Sequence, residues 1–375
     1  MIFLGAGASA PFNIPTSPVL TQQMENILDE EFLKDIKNFL KINGKDYTFE
    51  NVLTILQVLT NQLEVSRNHY TQLFPINYPN RKKDYTSLIN KMYEILCNCC
   101  TGPFLKENDK HIDPEKLEKI FDLTYDILIG ISLKKQLRQI IFSTNYDPSV
   151  EIWCHRRFLN CFDGTRDVYN PDFKQQLKQG YLLNQIDKIN ISDQETVPLV
   201  RLHGSILSFE TQNNKAIKFT KSKDMLNYKD LYDDKLKLFP TLIFPGQEEK
   251  IRSGEWNQYH QLFREKLSEF SLFIGYSFRH DELNEPILRA LDSNQIVKLG
   301  VLNRNPDENL KNLFRGRSIP DDKIIKMPAE FGTIKAIEEI NNNWFPLIFG
   351  KKYEEIKDIL QEIKEWKKER LELYL

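Results

Sequence analysis

The chain has 375 residues, 41% of them apolar and 28% charged, so two domains or one domain with a large insertion are expected around a sizeable core. Its 51 basic and 53 acidic residues leave a formal net charge of -2, which offers no overall cationic field to nucleic acid or to an acidic membrane. No apolar run approaches the roughly 20 residues of a membrane helix, and the start lacks a secretory signal pattern, so a cytoplasmic location is expected.

The first element is a short strand, "MIFLG", that runs into "GAGASA". This satisfies the G-x-G-x-x-G/A pattern, whose glycines allow a tight turn and let backbone N–H groups approach a pyrophosphate. The alternative is a strand-to-helix turn with no ligand. A dehydrogenase turn would lead into a long helix and then a second strand ending in an acidic residue about 20 positions on. Here Pro11, Pro15 and Pro18 are expected to break the helix, and "QQMENILDEEF" is itself helical.

Residues 43–138 carry no strand pattern. "TFENVLTILQVLTNQLEV", "DYTSLINKMYEIL" and "DPEKLEKIFDLTYDILIGISLKKQ" space their apolar residues at three and four, and Asp113 before Pro114 is a helix start, so this segment is expected to be a helical insertion or cap. Cys97, Cys99, Cys100, Cys154 and Cys161 form no paired C-x-x-C knuckles. They are expected to be buried or idle thiols, with no metal held.

Further buried strands are expected in "QIIFSTN" (139–145), "PLVRLHG" (198–204), "TLIFPG" (241–246), "SLFIGYS" (271–277), "KLGVLNRN" (298–305) and "KIIKMP" (323–328). With the first strand they specify an α/β fold, a Rossmann-like doubly wound parallel sheet built from residues 1–42 and 139–330. The polar stretch 184–196 is expected to be a surface loop. Residues 331–375 turn helical, and Ile356, Ile359, Leu360, Ile363 and Trp366 make an apolar stripe that either docks on its own domain or serves assembly or a partner.

Ligands of such sheets bind beyond the carboxyl ends of the strands, where this sequence places Gly5, Gly7, Asn145, Asp147, His203, Gly275, Ser277 and Asn303. Asn145 and Asp147 are either site residues or helix caps. His203 lies between a buried strand and Gly204, so it is either a buried structural histidine or the acid or base of a site. His69, His111, His155, His260 and His280 are read as solvent-facing. No serine elbow occurs and no two histidines have metal-ligand spacing in the sequence, which leaves His203 as the best acid or base.

"GAGASAPFNIPT", "STNYD", "LHGS" and "GYSF", in that order, resemble the sirtuin catalytic domain, in particular its bacterial sirtuin-like branch of NAD-consuming anti-phage defence proteins. The resemblance implies that Gly5, Ala6, Gly7 and Ser9 cradle phosphates and that Ile14, Pro15 and Thr16 belong to a mobile cofactor loop. It also implies that Asn145 and Asp147 hold the ribose and a water, that His203 is the base, and that Gly275, Ser277 and Asn303 complete the cofactor site. It covers residues 1–20 and 139–306. The two C-x-x-C pairs of the sirtuin zinc module are missing, so no zinc is expected, and no arginine follows "NIPTSPVL"; both departures weaken protein deacylation but not cleavage of NAD. The resemblance therefore implies an NAD hydrolase that releases nicotinamide and ADP-ribose during abortive defence. It also implies a homo-oligomer with a hexameric HerA-type DNA-translocating ATPase as a partner. A non-catalytic NAD or ADP-ribose sensor is the alternative, and a protein deacylase a further one.

Overall fold

The computed structural model describes all residues except 45, 66–81, 105–109, 138, 163–195, 211–215, 219–238, 244–253 and 375. His69 and the polar stretch up to residue 195 therefore lie outside the described residues, as does the end of "TLIFPG".

Seven short strands make a wholly parallel sheet: β1 (Ile2–Leu4), β2 (Ile141–Ser143), β3 (Asn160–Phe162), β4 (Thr196–Arg201), β8 (Phe270–Ile274), β9 (Lys298–Asn303) and β10 (Ile324–Pro328). Their order is β10-β9-β8-β1-β2-β4-β3, so the chain winds outward from β1 in both directions. This is the doubly wound α/β arrangement that the buried apolar runs specify. The order reverses beside β1, and a crevice opens there at the carboxyl ends of the strands.

Alternation along the strands divides the core between the two faces of the sheet. Ile2, Leu4, Ile141, Leu199, Leu272 and Ile274 belong to one apolar cluster, and Phe3, Phe142, Val200, Phe273, Leu299 and Val301 to the other. The first cluster is covered by α1 (Ser17–Glu25), α2 (Glu30–Ile42), α3 (Phe49–Val65), α4 (Lys82–Thr101) and α5 (Pro114–Asp122), together with the C-terminal helix Ile356–Tyr374. The second is covered by helices Gly254–Lys266, Asp281–Asp292 and Pro306–Phe314. Among the described residues, the insertion packs on the first of these faces.

Local chemistry sets the helix starts. Asp29 accepts from the Phe32 N–H at 2.8 Å, and Asp113 accepts from the Glu115 N–H at 2.9 Å with Pro114 in the first turn. Pro18 likewise begins a helix rather than breaking one, because it occupies the first turn of α1, where the missing N–H costs nothing. Pro11 is accommodated in a short 3₁₀ helix, Ala6–Phe12.

One strand expected in the main sheet is elsewhere. The "TLIFPG" segment contributes to β7 (Phe239–Leu242), which pairs antiparallel with β5 (Gly204–Glu210) in a small sheet completed by β6 (Ala216–Lys218). Gly204, at φ 83°, turns the chain out of β4 immediately after His203 and starts this second sheet. The C-terminal stripe docks on its own chain: Ile359, Ile363 and Trp366 are buried, and the Trp366 ring lies 2.8 Å from where a Cβ on Gly130 would be. The surface that this helix leaves free is mostly charged, with Leu371 and Leu373 exposed near its end.

Candidate functional site

The crevice holds a cavity of about 300 Å³ whose walls come from the 3₁₀ turn after β1, the loops after β2, β4 and β8, and helices α1, α3 and α4 of the insertion side. Of the residues singled out in the sequence, Ala6, Ser9 and Pro15 line it from the first loop. Asn145, Asp147, His203 and Ser277 line it from the other strand ends. The insertion contributes Glu50 and Cys100, and Glu50 accepts a hydrogen bond from Ser17 at 2.8 Å that ties α3 to α1.

Ser9 is the junction of a buried polar network. Its hydroxyl donates to Asp147 Oδ2 at 2.5 Å and accepts from Asn145 Nδ2 at 2.8 Å, while the same amide donates to the Gly5 carbonyl at 2.9 Å. Asp147 Oδ1 accepts the Ser149 N–H at 3.0 Å, a helix-start bond that fixes the carboxylate. Asp147 is therefore both a helix-start acceptor and a cavity-lining residue, whereas Asn145 caps no helix and lines the cavity through its bonds to Gly5 and Ser9. With its NH₂ engaged twice, Asn145 presents its carbonyl oxygen, an acceptor, for any further partner.

The glycines act by packing. A Cβ on Gly5 would sit 2.6 Å from Tyr276 Cα, and one on Gly275, at φ 61°, would sit 2.3 Å from the Ala8 nitrogen. The N–H groups of Gly5, Gly7 and Ala8 bond to the carbonyls of Ile274, Gly275 and Gly5 at 2.9, 2.9 and 2.8 Å. Gly5 and Gly7 are therefore needed to bring two turns together, and their N–H groups, expected to cradle phosphates, are already engaged. Thr16 is exposed outside the cavity as the residue before α1, and Asn303 donates to the Tyr276 carbonyl at 3.3 Å; neither they nor Gly5, Gly7 and Gly275 line the cavity.

His203 is 3% exposed, and its Nε2 is buried without a hydrogen-bond partner. Burial, reinforced by His280 and His260, pushes its pKa well below that of an ordinary histidine rather than leaving it near neutrality. The imidazole is therefore neutral at pH 7, with an unpartnered ring nitrogen beside the cavity. Two histidines expected to face solvent do not. His280 lines the cavity with its ring centroid 4.8 Å from that of His203, and His260 is 1% exposed, its Nε2 3.3 Å from the Leu202 carbonyl, its pKa lowered by burial to about 4. Both lie far from His203 in sequence and meet it only through the packing of the helices beside β8.

Arg201 was not singled out in the sequence. It is 6% exposed and donates to the carbonyls of Asn145 at 2.9 Å and Asp147 at 2.7 Å, and it pairs with Glu151. Two residues before His203, it holds the neighbouring loop against its own strand. The one sequence signal was a cation inside an otherwise apolar strand, which demands a buried partner. The cysteines are reduced; four are buried and Cys161 is half-buried. Burial raises the Cys100 thiol well above its ordinary pKa, so it faces the cavity as an inert group.

Residues 139–319 match the family model of the SIR2-like domain. The matched span contains Asn145, Asp147, Arg201, His203 and the Gly275–Ser277 turn, and leaves out the Gly5–Ser9 loop, the whole insertion and the C-terminal helices. Similar solved structures include Sir2Tm bound to a propionylated peptide, with 13% identity, a TM-score of 0.40 and 91% of each chain covered. They also include a Sir2 complex with an inhibitor, 2′-O-acetyl-ADP-ribose and a deacetylated p53 peptide, at 12% identity, TM-score 0.40 and 93% of each chain. A Sir2 homologue variant in complex with ADP-ribose matches at 11% identity, TM-score 0.40 and 91% of each chain. No curated protein matches the sequence. No described helix is long and apolar enough to cross a membrane.

Proposed function

We propose that the SIR2-like domain cleaves NAD at the nicotinamide-ribose bond, with water as the acceptor. The observation that carries this reading is the convergence of Asn145, Asp147 and the unpartnered Nε2 of His203 on one cavity at the sheet's switch point. Its volume is at the small end of ligand sites, which suits the nicotinamide and its ribose with the rest of the dinucleotide lying toward solvent.

Nicotinamide leaves as a neutral molecule, so the reaction needs no strong acid; it needs stabilisation of a cationic, oxocarbenium-like sugar and a placed nucleophile. Asp147 supplies fixed negative potential and, through Ser9, holds the Asn145 amide still. The Asn145 carbonyl oxygen accepts a hydrogen bond from the attacking water or a ribose hydroxyl, and neutral His203 takes the proton. Insertion residues such as Glu50 wall the cavity on one side. On the sequence resemblance we carry forward, as part of the same proposal, NAD depletion in anti-phage defence, self-assembly and a HerA-type ATPase partner.

Asn145→Ala and His203→Ala should each lower nicotinamide release by about 100-fold or more without unfolding the chain, as expected for loss of a positioned acid-base or orienting group. Product analysis of NAD incubations by mass spectrometry reads this. Wild-type rates in both variants would remove these residues from the chemistry.

A further inference from the structure

We propose that His203, His280 and Glu282 form a binding site for one divalent transition-metal ion of the zinc type. The proposal stands on side-chain placement and does not depend on the hydrolase reading. Among the described residues, this group of three brings its ligand atoms within 4.8 Å of one another. Glu282 Oε1 lies 3.8 Å from His203 Nε2 and 3.4 Å from His280 Nδ1. The histidine nitrogen is buried with no hydrogen bond, a condition that costs free energy unless something fills it, and 3.8 Å is too long for the carboxylate to do so.

Two imidazoles and one carboxylate are the protein ligands of open zinc sites, in which a fourth position is left for water or substrate. Here that position faces the cavity that both histidines line. Magnesium and calcium prefer all-oxygen shells, so nitrogen donors select a softer ion. Zinc–ligand bonds of about 2.0–2.2 Å in a tetrahedron put ligand atoms roughly 3.4 Å apart, so the widest pair must close by about 1.4 Å at most.

His203 is buried in the turn just after β4, while His280 and Glu282 stand at the start of helix Asp281–Asp292 and are partly exposed, so the adjustment falls on the two less buried side chains. A metal bound there takes the lone pair that His203 would otherwise use as a base, so metal occupancy and base catalysis exclude each other.

Calorimetric titration of the full chain with Zn²⁺, in the absence of NAD, tests the site. One ion per chain is expected, with binding weakened more than about 100-fold in His280→Ala and about 10- to 100-fold in Glu282→Gln, both verified as folded by circular dichroism. Co²⁺ at the same site should give a tetrahedral visible spectrum without the thiolate charge-transfer band that a cysteine site would show. Absence of saturable binding, unchanged affinity in His280→Ala, or a thiolate band would overturn the assignment.

Discussion

Replacing Arg201 by methionine tests whether the loop carrying Asn145 and Asp147 is held by a buried charge. The guanidinium spans two carbonyls and the Glu151 carboxylate, whose side chain is only 13% exposed. Methionine fills most of the volume but strands that carboxylate, and removing one partner of a buried pair costs about 3–5 kcal/mol. Two carbonyls also lose a donor, so a loss of at least about 4 kcal/mol is expected, a large share of a total stability of about 5–15 kcal/mol. Removing both charges in Arg201→Met/Glu151→Leu should recover about 2 kcal/mol or more, since the stranded carboxylate is gone. Lysine keeps the charge but not the fork, and should fall between wild type and methionine. Urea denaturation of the single and double variants closes the cycle. An Arg201→Met protein within about 1 kcal/mol of wild type, or a double variant that merely sums the singles, would refute the clamp.

Other outcomes follow from the same contacts. Gly275→Ala should destabilise by about 3 kcal/mol and weaken ADP-ribose binding, because its Cβ meets the Ala8 nitrogen at 2.3 Å and its φ is 61°; thermal melts and titration read both effects. Trp366→Ala should cost about 3–5 kcal/mol by opening a cavity against Gly130 and Trp153, while nicotinamide release per folded molecule is unchanged. Because His203 and His260 have depressed pKa values when folded, the stability they contribute is complete above pH about 6.5 and is lost as pH falls toward 4. His260, at about 4, accounts for about 3 kcal/mol of that loss, so urea midpoints should fall from pH 7.5 to 4.5, and less steeply in His260→Gln.

The parallel sheet was legible because short unbroken apolar runs such as "SLFIG" suit strands buried on both faces. The helical insertion was legible from its period, and the start of one of its helices from Asp113 before Pro114. The strand β7 was misplaced because a short apolar run carries no record of its pairing partner; Gly204, one residue past His203, was the sign that the chain leaves the sheet there. Asn145, Asp147 and His203 were found at strand ends, and they do share a cavity. Sequence spacing could not show that Ser9 links the first two. It also could not show that His280 and Glu282, beyond β8, approach His203, since that contact depends on how a helix packs against a distant strand. The glycine motif marks a tight turn, but the N–H groups of Gly5 and Gly7, expected to cradle phosphates, bond to the Ile274 and Gly275 carbonyls, a pairing that no local pattern encodes.

The most direct test of the hydrolase reading is NAD incubated with the full chain in ¹⁸O-labelled water, followed by mass spectrometry. Nicotinamide and ADP-ribose in equal amounts, with one labelled oxygen on the ribose and no acylated peptide required, is the predicted result. NAD that stays intact while still binding at Asn145 and His203, or nicotinamide released only when an acylated peptide is supplied, would contradict it.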